Sequence, residues 1–208
     1  MSVYKIDNSS VPIRLFKSNF LEFFTHIHPA VIVAIWLPVA ILALILSIVD
    51  QGYTIAVPLG FIVGLIIWTF AEYTLHRFVF HFPPRTPTLE RVTFLFHGIH
   101  HTQPQVKTRL VMPPAVTIPL SFLFYGLFFL IFNIIIKAPG WTNPIFSGVI
   151  IGYLVYDLTH YATHHFPMRS GYLKFLKRYH MQHHYKTPNQ RFGVSSPLWD
   201  WVFKTYPR

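Results

Sequence analysis

The stretch AVIVAIWLPVAILALILSIV, residues 30–49, has no charged side chain in twenty positions. Twenty residues of α-helix measure about 30 Å, which is the thickness of the hydrocarbon core of a bilayer. The stretch is too long for the apolar part of a signal peptide, and it lacks a small-residue cleavage site. We therefore interpret it as a membrane-spanning helix.

Three further apolar stretches follow along the chain, at residues 54–73, 115–136 and 145–161, and the last is shorter and more polar at its end. Any one of them alone could be a buried helix of a soluble protein. Four in a chain of 208 residues leave no soluble mass to cover them. We predict an all-α integral membrane protein with four transmembrane helices.

Short connections join the first two spans, at residues 50–53, and the last two, at residues 137–144. The spans therefore form two hairpins, and residues 1–29, 74–114 and 162–208 share one side of the membrane. Of the seventeen Lys and Arg residues, Lys137 alone lies in a short connection. Because cytoplasmic segments carry the excess of basic residues, we expect the shared side to be cytoplasmic. The net charge of +10 then fits a membrane surface, and no nucleic-acid-binding motif is present.

Histidine is the unusual residue of this sequence. Eleven of thirteen histidines fall in four groups on the predicted cytoplasmic side: HRFVFH at 76–81, HGIHH at 97–101, HYATHH at 160–165 and HMQHH at 180–184. Cysteine is absent, which excludes disulfides, cysteine zinc sites and thiol nucleophiles. The histidines are thus the candidate functional residues.

Helical spacing predicts how these imidazoles point. Positions i, i+3 and i+4 of a helix face the same way, so each H-x-x-H-H should aim three imidazoles at one locus, and His160 and His164 should aim two. His76 and His81 are five residues apart, roughly 140° around an α-helix. These two converge only if the helix ends or distorts between them, or each serves a different metal.

Neutral imidazole is the commonest protein ligand of metals, although clustered histidines could also act as a pH sensor. Ten or so imidazoles exceed what one ion needs, so the sequence predicts two metal ions. Imidazole suits zinc, copper, iron and nickel alike. A structural zinc needs only four ligands in a closed shell, so the surplus favours a reactive centre.

Three residues beside the histidines are candidates for work near the metals. Asp157 lies one turn before His160 and Glu72 one turn before His76, each at the end of an apolar span. Metal-bound histidines usually donate their second N–H to such acceptors, and we expect this of both carboxylates. Tyr156 could add a hydrogen bond. We leave His26 and His28 out of the site, because they suit the membrane interface. His165 is off the i, i+4 pair, so we expect it either to lie just behind the metal ligands or to point outward.

Two metals held by neutral ligands beside a bilayer indicate oxidation of an acyl chain by dioxygen. Hydrolysis by a metal-bound water is the alternative, but it normally uses bridging or general-base carboxylates. The chain has only seven acidic residues, and it has no G-x-S-x-G motif. The sequence therefore favours oxidation over hydrolysis.

Several segments resemble the fatty acid 2-hydroxylases of the fatty acid hydroxylase and sterol desaturase superfamily. They are EYTLHRFVFH from residue 72, FLFHGIHHTQPQVKTRLVMPP from residue 94, and the tail that includes KRYHMQHH and FGVSSPLWDWVF. The histidine pattern is shared across the superfamily, whereas RLVMPP and the tail are more specific to the 2-hydroxylases. The likeness runs from about residue 65 to the end of the chain.

This resemblance implies a four-span membrane enzyme with a cytosolic helical cap, which hydroxylates carbon 2 of free fatty acids or of sphingolipid N-acyl chains. It implies a di-iron centre, which zinc can occupy in purified protein, and it supports Tyr156 and Asp157 near the metals. The implied metal ligands are His76, His81, His97, His100, His101, His160, His164, His180, His183 and His184.

Many members of the family carry a haem domain before the membrane part. About 29 residues precede the first span here, so we expect residues 1–29 to be a cytosolic segment, residues 30–208 to be the hydroxylase domain, and a separate donor of haem or ferredoxin type to supply electrons. The membrane could be the bacterial inner membrane or that of the endoplasmic reticulum.

Two other functions stay open at the level of sequence. A sterol or carotenoid hydroxylase or desaturase would share the histidine pattern but not the specific tail. A non-catalytic metal-binding or transport protein should place polar ligands near the bilayer midplane, whereas these histidines crowd one boundary.

Overall fold

The computed structural model describes residues 6–207, and most of that length is helical. The α-helices are α1 (Asn19–Phe23), α2 (Pro29–Gln51), α3 (Ala56–Thr74), α4 (Pro87–Thr93), α5 (Ile99–Thr102), α6 (Pro114–Phe129), α7 (Thr142–His165), α8 (Gly171–Tyr185) and α9 (Leu198–Val202). Three π-helices (Leu75–Phe80, Phe94–Gly98 and Leu130–Ile135) and two 3₁₀ turns (Lys107–Arg109 and Pro139–Trp141) complete the described secondary structure. The predicted all-helical class is confirmed.

Within residues 6–207, three helical stretches are long and apolar enough to cross a membrane: Pro29–Gln51, Ala56–Phe80 and Lys107–Ile135. They overlap most of the first three predicted spans. Large apolar side chains along them, such as Leu42, Ile62 and Phe122, are at least half exposed, as expected for surfaces that face hydrocarbon. The chain is therefore an integral membrane protein.

The fourth predicted span, residues 145–161, lies within α7, which is not apolar enough to be counted among those three stretches. Asp157 and the histidines of its last two turns lower its hydropathy. Residues 144–150 of α7 are all buried, so this part of the helix packs against protein on every side. A helix surrounded by other helices does not need a wholly apolar surface.

The chain divides into two compact units. One consists of Pro29–Thr69 and Met112–Val155, which hold α2, α6, most of α3 and the first half of α7. Within this unit α3 and α7 cross through glycines. A Cβ atom on Gly64 would lie 2.1 Å from the carbonyl oxygen of Ile145, and one on Gly148 would lie 2.1 Å from that of Phe61. Small residues at four-residue spacing are a common way for membrane helices to approach closely.

The other unit consists of the described residues up to His28, Phe70–Val111, and the chain from Tyr156 onward. Its amino-terminal segment is bonded to the residues after α5. Arg109 donates to the carboxylate of Glu22 at 2.5 Å, and Gln103 donates to Asp7 at 3.0 Å. All four histidine stretches of the sequence belong to this unit.

Candidate metal centre

Ten histidines form two groups of five, and in each group the potential ligand nitrogens all lie within 4.8 Å of one another. The first group consists of His76, His81, His97, His101 and His183. The second group consists of His100, His160, His164, His180 and His184. Nine of the ten are buried, and His81 is partly exposed. The structure thus brings together every histidine that the sequence assigned to metal binding.

The two groups are assembled in the same way. Each takes a pair from the end of a long helix: His76 and His81 after α3, or His160 and His164 on α7. Each group also contains the i and i+4 histidines of one H-x-x-H-H motif and the i+3 histidine of the other motif. His100 therefore leaves its neighbours and joins the second group, and His183 joins the first.

The prediction that each H-x-x-H-H aims three imidazoles at one locus is wrong. Residues i and i+4 of an α-helix are about 40° apart around the axis, but i+3 lies about 100° from i+4. One turn of helix therefore presents a pair to one group and the remaining imidazole to the other. Each of these short motifs connects both groups.

A π-helix at Leu75–Phe80 decides how His76 and His81 meet. The backbone N–H of His81 donates to the carbonyl of His76 at 3.1 Å, which is the i to i+5 bond of a π turn. The extra residue in this turn places position i+5 where position i+4 would lie in an α-helix. Both imidazoles consequently belong to the first group. The sequence left open a helix end, a helix distortion or two different metals, and the structure shows a distorted helix.

The nitrogen spacings fit a bound transition metal. Adjacent Nε2 atoms lie 3.0–3.3 Å apart in the first group and 2.8–3.0 Å apart in the second. Two nitrogens bound to one ion at about 2.0–2.1 Å, with an angle of about 90–110° between them, would be separated by roughly 2.8–3.4 Å. Each group therefore has the size of a single coordination shell.

Burial keeps these imidazoles neutral. It lowers the pKa of His81 to about 3, with the neighbouring His183 as a further cause. The pKa values of His97 and His180 are well below the usual range for the same two reasons, burial first and adjacent imidazoles second. Protons therefore do not occupy the crowded nitrogens near pH 7. The rings remain neutral, and neutral imidazole is the form that binds metal.

Backbone carbonyls orient two imidazoles of the first group. The Nδ1 of His76 lies 2.5 Å from the carbonyl oxygen of Phe192, and the Nδ1 of His183 lies 2.7 Å from that of Gln190. Each Nδ1 must donate, because a carbonyl can only accept, so each Nε2 of a neutral ring carries a lone pair. The Nε2 of His183 faces those of His81 and His101 at 3.1 and 3.3 Å. Lone pairs at this distance repel one another unless a cation lies among them.

Glu72 is buried, but its role differs from the predicted one. Its carboxylate accepts the backbone N–H groups of Val194 at 2.6 Å and Ser195 at 2.8 Å, and also the hydroxyl of Ser195. The N–H of His76 goes instead to the carbonyl of Phe192. Glu72 therefore holds the residues that follow this carbonyl in the chain rather than accepting from His76.

Asp157 and Tyr156 lie next to each other on α7, and both are buried. The ring of Tyr156 stacks with that of His160, with centroids 5.8 Å apart. The structure therefore places Tyr156 against a member of the second group.

Asp200 is a site residue that the sequence reasoning missed. It is fully buried on α9, and its carboxylate accepts the N–H groups of Phe192 at 2.9 Å and Gly193 at 2.7 Å. A signal was present, since Asp200 is one of only seven acidic residues and interrupts the aromatic run WDWVF. An acidic residue in such a run is either exposed or bound to buried N–H groups.

The three histidines that the sequence set aside lie outside both groups. His26 contacts Thr108 at 2.7 Å and Arg109 at 3.1 Å, away from the other imidazoles. The ring of His165 packs against Tyr161, with centroids 4.8 Å apart. His28 precedes α2. None of the three is therefore part of a candidate coordination shell.

Comparison with known proteins gives a consistent family. A sequence profile described as fatty acid hydroxylase matches residues 61–205. The chain is 39% identical over 196 residues to a dihydroceramide fatty acyl 2-hydroxylase of Arabidopsis thaliana, covering 93% of this chain and 80% of that protein. It is 40% identical over 190 residues to a ceramide very long chain fatty acid hydroxylase of Schizosaccharomyces pombe, covering 90% of this chain and 53% of that protein.

A human fatty acid 2-hydroxylase is 35% identical over 217 residues, covering 93% of this chain and 56% of that protein. Among solved structures, that of full-length scs7p, in which only the hydroxylase domain is visible, superposes with a TM-score of 0.84. That match has 37% sequence identity and covers 91% of this chain and 70% of the other. The chain belongs to the fatty acid hydroxylase family.

Proposed function

We propose that this chain is an oxygen-dependent hydroxylase that adds a hydroxyl group to carbon 2 of the N-acyl chain of ceramide-type sphingolipids. The names of its relatives in Arabidopsis thaliana and Schizosaccharomyces pombe support this substrate class. The observation that carries the proposal is the pair of five-histidine groups with neutral, crowded nitrogens.

The ten histidines would hold two metal ions, and we propose iron in the active protein, with zinc able to take its place in purified material. Bound iron would supply the activation of dioxygen that an unactivated C–H bond requires. The chain's own residues keep ten ligand nitrogens unprotonated and close the shells to bulk water by burial. Asp157 and Tyr156 would act beside the second group, where the ring of Tyr156 lies against His160.

The position of His76, directly after α3, favours hydroxylation of carbon 2 over hydroxylation of a carbon farther along the acyl chain. His76 follows the apolar helix Ala56–Thr74 directly, in the next turn. In a bilayer, this end of the helix lies near the boundary between hydrocarbon and headgroups. Carbon 2 is adjacent to the acyl carbonyl and lies at the same depth, whereas later carbons lie deeper.

The reaction requires an electron donor. Insertion of one oxygen atom from O₂ into a C–H bond consumes two electrons and two protons, and the second oxygen atom leaves as water. Imidazole ligands supply no electrons, so we propose a partner of haem or ferredoxin type that delivers them one at a time.

We propose a four-span, multi-pass topology with residues 1–29 and a helical cap in the cytosol, and with residues 30–208 as the hydroxylase domain. The fourth span would be the buried, glycine-crossed part of α7. The distribution of Lys and Arg supports a cytosolic metal centre, in the bacterial inner membrane or the endoplasmic reticulum.

Lipid mass spectrometry tests this function. Expression in a host that makes ceramides should yield 2-hydroxy N-acyl chains, and His160→Ala and His183→Ala should each reduce the yield by at least about 100-fold, because each removes a ligand from a two-metal centre. His165→Ala is the matched control and should retain most of the activity. Unchanged product in His160→Ala or His183→Ala would refute the assigned site, and oxygen gained by sterols or carotenoids would refute the assigned substrate.

A further inference from the structure

The two histidine groups differ in what holds their imidazoles from behind. In the first group, the Nδ1 atoms of His76 and His183 donate to backbone carbonyls at 2.5 and 2.7 Å. In the second group, the Nδ1 atoms of all five rings are buried and meet no hydrogen-bond partner within residues 6–207: His100, His160, His164, His180 and His184. Backbone acceptors therefore orient two rings of the first group, whereas packing orients the rings of the second.

Both acceptor carbonyls belong to one short segment, Gln190 to Phe192, which follows α8. Asp200 holds the far end of this segment. One carboxylate oxygen accepts the N–H of Phe192 at 2.9 Å and the hydroxyl of Thr205 at 2.7 Å, and the other accepts the N–H of Gly193 at 2.7 Å. The N–H of Arg191 is bonded to the carbonyl of Thr205 at 3.1 Å.

Glu72 holds the residues that follow, through the N–H groups of Val194 and Ser195 at 2.6 and 2.8 Å. Four consecutive N–H groups therefore end on two buried carboxylates. Gly193 has no room for a side chain, because a Cβ atom there would lie 2.0 Å from the carbonyl oxygen of Ser196 and 3.0 Å from a carboxylate oxygen of Asp200. This network fixes the backbone at Phe192 and after it, where the Phe192 carbonyl accepts from His76.

We propose that Asp200 is a positioning residue for the first histidine group, and that its hydrogen bonds to the backbone of Phe192 and Gly193 make this group the tighter of the two metal sites. The inference rests on the proposed function only in that both groups bind metal. Acceptors behind metal-bound histidines fix the tautomer and ring angle, and their removal typically weakens metal binding 10- to 100-fold. Asp200 acts one step further out, through a backbone carbonyl, and the second group has no comparable support.

Zinc titration against a competing chelator, with purified protein in detergent, tests the proposal. As the chelator concentration rises, the wild-type chain should release zinc in two phases. His76→Ala should alter the phase of the first group and His164→Ala that of the second, which assigns each phase to a group. The tighter phase should belong to the first group. Asp200→Asn should weaken that phase about 10-fold or more and leave the other phase unchanged. Glu90→Gln, which alters an exposed carboxylate on α4, should change neither phase.

Thr205→Val covers the case in which Asp200→Asn does not fold, because it keeps the side-chain shape and removes the hydroxyl, which is bonded to Asp200 at 2.7 Å and to the hydroxyl of Tyr73 at 3.1 Å. It should weaken the same phase by a smaller factor. Equal weakening of both phases, no change in either, a wild-type chain that binds no zinc, or a tighter phase assigned to the second group would each overturn the proposal. If the wild-type chain formed no 2-hydroxy product while the zinc phases of all variants behaved as expected, the result would count against the proposed function alone.

Discussion

At the scale of single residues, the unusual property of this protein is a cluster of ten largely buried histidines whose two groups include no carboxylate from residues 6–207. Burial is the first cause of the lowered pKa of His81, His97 and His180, and adjacent imidazoles are the second. Both causes oppose protonation of the folded state. The free energy of unfolding of the metal-free protein must therefore depend on pH through these rings.

The sign of that dependence follows from the two states. Well above pH 6.5 the histidines are neutral whether the chain is folded or unfolded, so they add no pH dependence to stability there. Below it the unfolded chain takes up protons that the folded chain refuses, down to about pH 3 for His81. Each such histidine then costs up to about 1.4 kcal/mol per pH unit.

We expect the melting temperature of chelator-treated protein in detergent to be level near pH 8, to begin to fall as the pH approaches 6.5, and to fall more steeply from there to pH 5. His81→Gln should fall less steeply, because it removes one proton-binding site of the unfolded chain. A melting temperature that stays level down to pH 5 would show that the rings are not held neutral by burial.

At the scale of elements, the π-helix Leu75–Phe80 makes five-residue spacing equivalent to the i, i+4 spacing of the other pairs. Deletion of the exposed Val79 should therefore restore an ordinary α-helical pair and retain about two metals per chain. Insertion of one alanine after Val79 should turn His81 away and leave about one. Elemental analysis of the two variants decides, and loss of metal in the deletion with retention in the insertion would refute the register argument.

The crossing of α3 and α7 depends on glycine. Gly64→Ala would bring a methyl group to 2.1 Å from the Ile145 carbonyl and 2.8 Å from the Cα of Gly148, both of them backbone atoms that cannot turn aside. Overpacking of this kind costs roughly 1–3 kcal/mol. We expect a melting temperature several degrees lower in detergent, whereas Gly126→Ala, with no atom within 4 Å of the new Cβ, should melt like the wild type. Equal melting of both variants would show that the helices can separate at no cost.

At the scale of the whole molecule, the asymmetry of basic residues predicts which loops face the cytosol. The absence of cysteine makes this testable, because a single introduced thiol is the only reactive one. In intact bacterial cells that express the protein in their inner membrane, a membrane-impermeant maleimide should label Tyr53→Cys and Lys137→Cys, and it should label Lys174→Cys only after permeabilisation. Lys174→Cys labelled in intact cells would place the metal centre on the other side of the membrane.

The spans and the histidine pairs could be read from the sequence because each is a local property. Hydropathy along twenty residues fixes residence in a bilayer, and i, i+4 spacing fixes that His160 and His164 share a face. The first three predicted spans overlap the three stretches that are long and apolar enough to cross a membrane. The polar end of α7 weakened the same signal, because that helix packs mainly against protein rather than lipid.

The tertiary structure alone decided which group each unpaired histidine joins and what holds the rings. Helical spacing separates His100 and His183 from the i, i+4 pairs of their own motifs, but the group that each one joins depends on which distant segments lie beside it. Asp200 reaches His76 through Phe192, across more than a hundred residues of chain. Spacing along one helix is geometry that the sequence carries, whereas the meeting of distant segments depends on the packing of the whole fold.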